Sequence, residues 1–225
     1  MKTIKLLIVL VVLVFMNLPI LGQVFTPNSK GKQTVYINAG LEPAVLTSLG
    51  YSYRFNFESL ANDLILYGEA SVPFGDFEMN DYRIKVGAQS TIISSNKWDF
   101  SLNGYLVLRG TENSIHSATN YGIGFTALVG YYESCWFSAL ELGYDKGIVT
   151  NIEHTEWYKE YFYSDAKDGL YGNPGGNITI GLRGGYQISN FEITVRGGIF
   201  KTEEFNNPVG VPYYGSIGIN YHFCK

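Results

Sequence analysis

The sequence predicts an all-β protein: an antiparallel, up-and-down transmembrane β-barrel of about ten strands, with eight as the alternative count. Three observations predict this fold. Apolar and polar side chains alternate with a period of two in segment after segment. The apolar face of these segments carries no charge, whereas the opposite face holds small residues and the strand-interior charges. Aromatic residues gather at the segment ends, where a membrane has its two headgroup layers.

The composition agrees with one β-rich domain over residues 24–225. Of the 225 residues, 46% are hydrophobic and 16% aromatic, with 26 glycines and 7 prolines, which favours strands joined by tight turns. A mean hydropathy of +0.01 is too low for a helical membrane protein but suits a barrel with one face toward lipid. The net charge of −4 does not indicate a nucleic-acid partner, and we expect none.

Residues 1–23 have the pattern of a secretory signal peptide. Lys2 and Lys5 precede an uninterrupted apolar run over residues 6–15, and small or helix-breaking residues follow it. The run is shorter than the roughly 20 residues that a membrane-spanning helix needs. We therefore expect cleavage near Gly22–Gln23, export, and a location in the outer membrane.

The alternating segments follow one another along the chain. They cover residues 34–41, 45–57, 64–72, 82–89, 98–109, 121–131, 136–144, 178–188, 191–199 and 213–223. The connections after the second, fourth, sixth and eighth segments are short, whereas residues 73–81, 110–120, 145–176 and 206–212 form longer loops. Outer-membrane barrels have this asymmetry, with tight periplasmic turns and long outer loops.

The last segment shows the alternation with aromatic residues at both ends of its apolar face. Its apolar face runs from Tyr213 through Ile217 and Ile219 to Tyr221 and Phe223. We predict that outer-membrane lipid covers the apolar face. The segment resembles the terminal strand of bacterial outer-membrane β-barrels, and this resemblance implies that Tyr221 and Phe223 form the signal that the barrel-assembly machinery recognises. The competing fold is an exported soluble β-barrel or sandwich, whose outward polar face would carry more Lys and Glu than the small residues found here.

The charges on the polar face are predicted to point into the lumen. The two signs nearly balance and about ten strands enclose little space, so an ion-pair network that fills the lumen is favoured over a charge-lined pore. The predicted network consists of Arg54, Glu69, Arg83, Lys85, Asp99, Arg109, Glu141, Arg183, Glu192 and Arg196.

The longest loop, over residues 145–176, combines aromatic and charged residues. Exposed rings among charges suit recognition of an extracellular or envelope protein or of a glycan, although a lid that packs on its own barrel is the alternative. The predicted recognition surface consists of His154, Trp157, Tyr158, Tyr161, Phe162, Tyr163 and Tyr171.

Catalytic and metal-binding signals are weak. His116 lies near Ser114, and His154 near several acids, but the sequence has no Gly-x-Ser-x-Gly or His-Glu-x-x-His motif and no Cys/His cluster with metal spacing. We therefore expect no catalytic residue, no metal, no cofactor and no enzymatic activity. A membrane-embedded hydrolase remains the least favoured alternative.

The signal sequence, alternating strands, aromatic girdles and terminal Tyr221-x-Phe223 resemble small bacterial outer-membrane β-barrels of the OmpA-like and OmpW-like kind. The Leu-Gly-Gln ending of the signal resembles those of exported Bacteroidetes proteins. This resemblance implies an architecture, and a role as an accessory to conjugative transfer is compatible with it although no motif selects one. The expected function is a largely occluded barrel that displays its outer loops for interaction or supports the envelope. The alternative is a narrow channel for small hydrophobic or ionic solutes.

Overall fold

The computed structural model describes residues 31–41, 45–56, 63–74, 80–203 and 212–223. The predicted signal peptide and its cleavage site lie outside these residues. The strands are β1 (Gln33–Leu41), β2 (Val45–Phe55), β3 (Leu64–Pro73), β4 (Asp81–Ser95), β5 (Trp98–Glu112), β6 (His116–Tyr132), β7 (Trp136–His154), β8 (Gly169–Gly172), β9 (Gly176–Ile188), β10 (Phe191–Thr202) and β11 (Tyr213–Phe223), with a short helix α1 (Glu156–Tyr161) before β8.

Ten of these strands close into an antiparallel barrel, as the alternation predicts. Each strand from β1 to β7 pairs with the next, β7 pairs with β9, and β9, β10 and β11 continue the sheet. Pairing of β1 with β11 closes the ring, with Gln33 opposite Phe223 and Leu41 opposite Gly215. The short β8 lies outside the ring and pairs with the upper part of β7.

The connections define two ends of the barrel. The short-turn end has the connections over residues 96–97, 133–135 and 189–190, and the long-loop end has those over 113–115 and 155–175. Two predicted loops are wrong in their extent. Residues 110–120 belong mostly to β5 and β6, and β7 continues to His154. These extensions lie beyond the apolar outer band of the barrel. Their outward side chains therefore do not form the apolar face from which the other strands were predicted.

The outer face of the barrel is apolar and the inner face polar. Leu106, Leu182 and Val86 are 66%, 63% and 60% exposed on the outside, whereas the inward Glu141 and Asn220 are fully buried. Aromatic side chains ring the short-turn end, with Trp98, Tyr131 and Trp136 in a chain of ring contacts at 5.5 and 5.7 Å. Phe191, Tyr221 and Phe223 form a second such chain, at 5.2 and 4.8 Å.

Inward tyrosines lie flat on glycines of the neighbouring strand. Tyr36 of β1 is paired with Gly50 of β2, and a Cβ placed on Gly50 would lie 2.2 Å from the Tyr36 ring. The glycine therefore provides the space that the ring occupies, an arrangement that also pins strand register. The same cross-strand pairing joins Tyr67 to Gly87, Tyr105 to Gly124 and Phe137 to Gly185.

Candidate functional site

The candidate site is the lumen, which differs between its two halves. All ten charged residues of the predicted network are half-buried or buried on the inner side of the wall. Seven of them belong to three clusters, around Glu141, Glu69 and Glu192, and a cavity at the long-loop end is lined in part by members of the first two clusters.

Glu141 of β7 holds two arginines from the next two strands of the ring. Its carboxylate lies 2.7 Å from Nη2 of Arg183 and 2.5 Å from Nη2 of Arg196, and Nε of Arg196 donates to it at 2.7 Å. The Tyr214 hydroxyl donates to the same carboxylate at 3.3 Å, and the Arg196 guanidinium lies 4.8 Å above the Tyr214 ring. One fully buried carboxylate thus ties together four strands, from β7 to β11.

A second cluster on the opposite wall centres on Glu69 of β3. Its carboxylate lies 3.7 Å from Nη2 of Arg83 and 3.9 Å from Nζ of Lys85, both on β4, and Ser71 donates to it at 3.3 Å. These separations are longer than those around Glu141. The Lys85 ammonium also lies 5.1 Å from the centre of the Tyr105 ring.

The short-turn half is filled by buried polar and aromatic side chains. Asn220 donates to Glu192 at 2.7 Å, and Nε2 of His222 lies 3.5 Å from the same carboxylate. Nδ1 of His222 shares a hydrogen bond with the Thr34 hydroxyl at 2.9 Å. Below them, the rings of Tyr132 and Phe137 stack at 5.4 Å.

Three members of the predicted network lie apart from these clusters. Arg54 lies 3.6 Å from Asp63 at the start of β3. Asp99 is 7% exposed on β5, and no ion pair or hydrogen bond of its carboxylate is present within the part of the chain that the structure describes. Arg109 meets Asp145 at 2.5 Å, an acid that the sequence analysis left in the loop.

The period-of-two alternation also places on the inner face the lumen residues that were missed in the sequence predictions. Asp145 continues the inward series of β7 after Glu141 and Gly143, so extending the alternation by one step finds it. Asn220 and Tyr214 are on the inward face of the last strand, but their contacts with Glu192 and Glu141 depend on strand register, which the alternation does not give.

At the long-loop end, the lumen opens into a vestibule. This cavity has a volume of about 620 Å³. Its wall carries four cations, Arg83, Lys85, Arg109 and Arg196, and two carboxylates, those of Asp81 and Asp145. Rings of Tyr82, Tyr105, Tyr144 and Tyr214 and small residues such as Gly143, Thr126 and Thr179 complete the lining. Two other cavities, one beside Glu69 and Arg83 and one at the short-turn end beside Tyr132 and Phe137, measure only about 20 and 10 Å³, each enough for about one water molecule.

The predicted recognition surface lies on the far tip of the barrel, around α1. His154 ends β7 and Tyr158 stacks on it at 5.5 Å, so these two side chains are half-buried. The others are exposed: Trp157, Tyr161, Phe162, Tyr163 and Tyr171. Tyr171 is on β8, and its hydroxyl donates to the carbonyl of Lys167 at 2.7 Å.

Asp168 fastens α1 to the end of β7. It accepts hydrogen bonds from Nζ of Lys159 at 2.6 Å and from the backbone N–H of His154 at 2.8 Å, and Nδ1 of His154 lies 2.9 Å away. The Lys159 ammonium, followed by the two His154 contacts, holds the pKa of Asp168 far below its usual range, because each contact stabilises the carboxylate form.

The proposed assembly residues occupy the end of the closing strand. Tyr221 pairs with Val35 of β1 and with Phe191 of β10. Phe223 is opposite Gln33 and is 42% exposed. Both side chains are therefore at the short-turn rim, beside the seam where β1 meets β11.

No group of three or more His, Cys, Asp or Glu side chains with the geometry of a metal site occurs among the residues described. Among the described residues, no helix is long and apolar enough to cross a membrane.

Comparisons with known proteins give structural likeness alone. No family model matches the chain, and no curated protein matches it. Among solved structures, the chain is similar to a KdgM porin, at 12% identity and a TM-score of 0.40, with 84% of this chain and 99% of that chain covered. It is also similar to a KdgM porin in complex with disordered oligogalacturonate, at 14% identity and a TM-score of 0.42 over the same shares. At such identities and scores, the likeness carries no argument about function.

Proposed function

We propose that the protein is an outer-membrane pore whose vestibule admits small solutes, with a preference for anions, from the outer side of the membrane. The vestibule is the observation that carries this proposal. A lumen filled by ion pairs, which the sequence analysis favoured, would leave no cavity of about 620 Å³. Four members of the network, Arg83, Lys85, Arg109 and Arg196, line this cavity without filling it, so the proposal takes up the narrow-channel alternative.

The placement in a membrane rests on the outer face of the barrel. A closed band of apolar side chains faces outward and aromatic rings gather at the short-turn rim. Exposure of so much apolar surface to water would be costly, whereas lipid accommodates it. Lipid and the barrel-assembly machinery are therefore the partners that we propose for the outer face and for the terminal strand.

The preference for anions rests on which charges face the cavity. Arg83, Lys85, Arg109 and Arg196 line it, against two carboxylates. Glu69 and Glu141, which neutralise part of this charge, lie behind the lining and are almost fully buried. A narrow, water-filled cavity in a low-dielectric wall strengthens the field of its lining charges, so an entering anion meets a positive wall.

The floor of the vestibule limits passage. Arg196 and Tyr214 line the cavity and also contact Glu141, so the Glu141 cluster is both the floor and a brace between strands. Solutes pass only when these side chains rearrange. The pore is accordingly expected to conduct weakly, in brief openings, rather than as a wide channel.

Planar-bilayer recording tests this proposal. In a salt gradient, the wild-type protein is expected to show small openings with a reversal potential on the anion-selective side. Replacing Lys85 and Arg109 together by Gln is expected to shift that potential toward zero. Lys201→Gln, which removes an exposed cation outside the vestibule, is the matched control. Absence of any openings in wild type, at all voltages, would favour an occluded barrel instead.

A further inference from the structure

The second feature of interest is the exposed face of α1, which is independent of the vestibule. We propose that this face is a docking surface for a basic segment of another protein. We define the α1 surface as Trp157, Tyr161 and Phe162, with the carboxylates of Glu156 and Glu160 beside them.

The helix is fastened by its polar side chains. Thr155 caps it, accepting from the Tyr158 N–H at 3.3 Å, while its hydroxyl donates to the Ser114 carbonyl at 2.9 Å and its backbone N–H donates to Ile115 at 2.9 Å. On the next turn, Lys159 binds Asp168 at 2.6 Å. These contacts tie α1 to the β5–β6 turn and to the residues before β8.

The aromatic side chains of the same helix point to solvent. Trp157 is 49% exposed, Tyr161 67% and Phe162 66%, and the Trp157 ring lies 4.9 Å from Phe162 and 6.3 Å from Tyr161. A surface helix normally packs its apolar residues inward and leaves polar ones in water. Here Trp157, Tyr161 and Phe162 are exposed together with Glu156 and Glu160. Rings of roughly 200 Å² each, exposed to this degree, form an apolar patch of about 350 Å², a size that often marks a binding site.

Preorganisation distinguishes this patch from an incidental loop. The contacts of Thr155 and Asp168 fix the backbone of the helix before any partner arrives. A partner therefore does not have to pay the entropy of ordering the segment, which is the usual cost of binding to a loop. Exposed, prearranged Trp and Tyr rings are the side chains that dominate binding energy at protein interfaces.

The position of the α1 surface argues against a lipid occupant. His154, at the base of the helix, is ten residues beyond Tyr144 along β7. At about 3.3 Å per residue and a strand tilt near 40°, the tip stands roughly 25 Å above the outer girdle of the barrel. The rings are therefore presented to the surroundings of the cell rather than to the acyl chains.

The acidic groups around these aromatic rings favour a basic partner. Glu156 is 93% exposed at its side chain and lies 3.5 Å from Nζ of Lys159, and Glu160 is exposed and forms no ion pair with any residue that the structure describes. Lys159, the one cation of the helix, is shared between Glu156 and Asp168, which lies 2.6 Å away, so acidic groups outnumber basic ones around the rings. Phe162 has no polar tip with which to contact sugar hydroxyls. An apolar patch with an acidic rim is complementary to a protein segment that combines Lys or Arg with apolar side chains.

The test uses the full chain in lipid nanodiscs and a phage-displayed library of random short peptides. We expect enriched peptides to combine basic and apolar residues. Their binding should weaken about tenfold or more in Trp157→Ala/Phe162→Ala and several-fold in Glu156→Gln/Glu160→Gln. Tyr213→Ala, an exposed ring three strands away in the ring of strands, should bind like wild type. Heat-modifiable migration of each variant in electrophoresis verifies that its barrel is folded.

Several outcomes would overturn the proposal. No enrichment, enrichment of acidic peptides, or peptides that bind the Trp157→Ala/Phe162→Ala variant equally well would each contradict it. Binding of neutral oligosaccharides, of lipopolysaccharide-containing vesicles or of a second copy of the chain that depends on the same rings would assign the surface to another occupant. These results do not depend on conductance, so the pore and the docking surface succeed or fail separately.

Discussion

Replacing Glu141 by alanine should both weaken the barrel and open its floor. Glu141 is fully buried, and its carboxylate is the acid that Arg183 and Arg196 share, at 2.7 and 2.5 Å. Removing one partner of a buried ion pair costs about 3–5 kcal/mol, because the remaining charge is left uncompensated. Two guanidinium groups would be left here, although water from the vestibule would reach Arg196. We expect the free energy of unfolding to fall by about 3–5 kcal/mol.

Companion variants separate the buried charge from the loss of side-chain volume. Arg183→Ala leaves Glu141 paired with Arg196, so we expect a smaller loss, of about 1–3 kcal/mol. Replacing Glu141, Arg183 and Arg196 together by Met removes the charges as a unit and should restore stability to within about 1 kcal/mol of wild type. Only the alanine variant of Glu141 should leave cations exposed to a newly opened lumen.

Urea titration in lipid vesicles, followed by tryptophan fluorescence, measures the stability of each variant, and bilayer recording measures conductance. Glu141→Ala should conduct more than wild type, and the triple Met variant should not. A stability change below about 0.5 kcal/mol, the usual range of a surface substitution, together with unchanged conductance, would refute the reasoning. It would mean that the cluster is hydrated and is neither a brace nor a floor.

Three further predictions test the wall, the lipid face and the tip. Gly50→Ala should destabilise the barrel by about 1–3 kcal/mol, because the methyl group meets the Tyr36 ring; Gly68→Ala, where the added Cβ meets nothing within 4 Å, should be nearly neutral by the same urea titration. Leu182→Lys, on the apolar outer face, should cost about 2–4 kcal/mol at mid-membrane depth, measured in the same vesicles. Because the pKa of Asp168 is depressed, its tie to α1 should persist as pH falls to well below the ordinary carboxyl range and be lost only in stronger acid. Asp168→Asn should loosen the helix at neutral pH, and acrylamide quenching of tryptophan fluorescence reports both effects.

The fold could be predicted because a period of two gives both strand and orientation. Leu182 and Arg183 alternate in the sequence as they do across the wall, and no tertiary information is needed to assign them to opposite faces. The pairing of β1 with β11 also follows, because the first and last strands of a closed up-and-down barrel must be neighbours. The lengths of β4, β5, β6 and β7 were predicted wrongly. β4 continues to Ser95 at the short-turn end, and the upper parts of β5, β6 and β7 rise above lipid, where strands have no apolar face to reveal them.

The pairing of charges could not be predicted in the same way. Glu141 meets Arg183 and Arg196 only because β9 follows β7 in the ring, with α1 and β8 set aside. Register then decides which charge stands at which height. Arg109 meets Asp145 across β6, two strands apart. Asp99 faces the same lumen with no such partner among the residues described, so an inward position alone does not imply an ion pair.

The openness of the lumen depends on side-chain volume rather than on charge. A ten-stranded barrel has nearly the same radius along its length, so whichever side chains point inward decide whether space remains. Leu128, Tyr132 and Phe137 point inward in the short-turn half and fill it. Thr126 is one inward position nearer the long-loop end than Leu128 on β6, and Gly143 is three inward positions nearer to it than Phe137 on β7. Both residues are small, so the vestibule that they line stays open. Once strand direction and facing are known, the volumes of successive inward residues locate the vestibule, and a large residue at position 143 or 126 should close it.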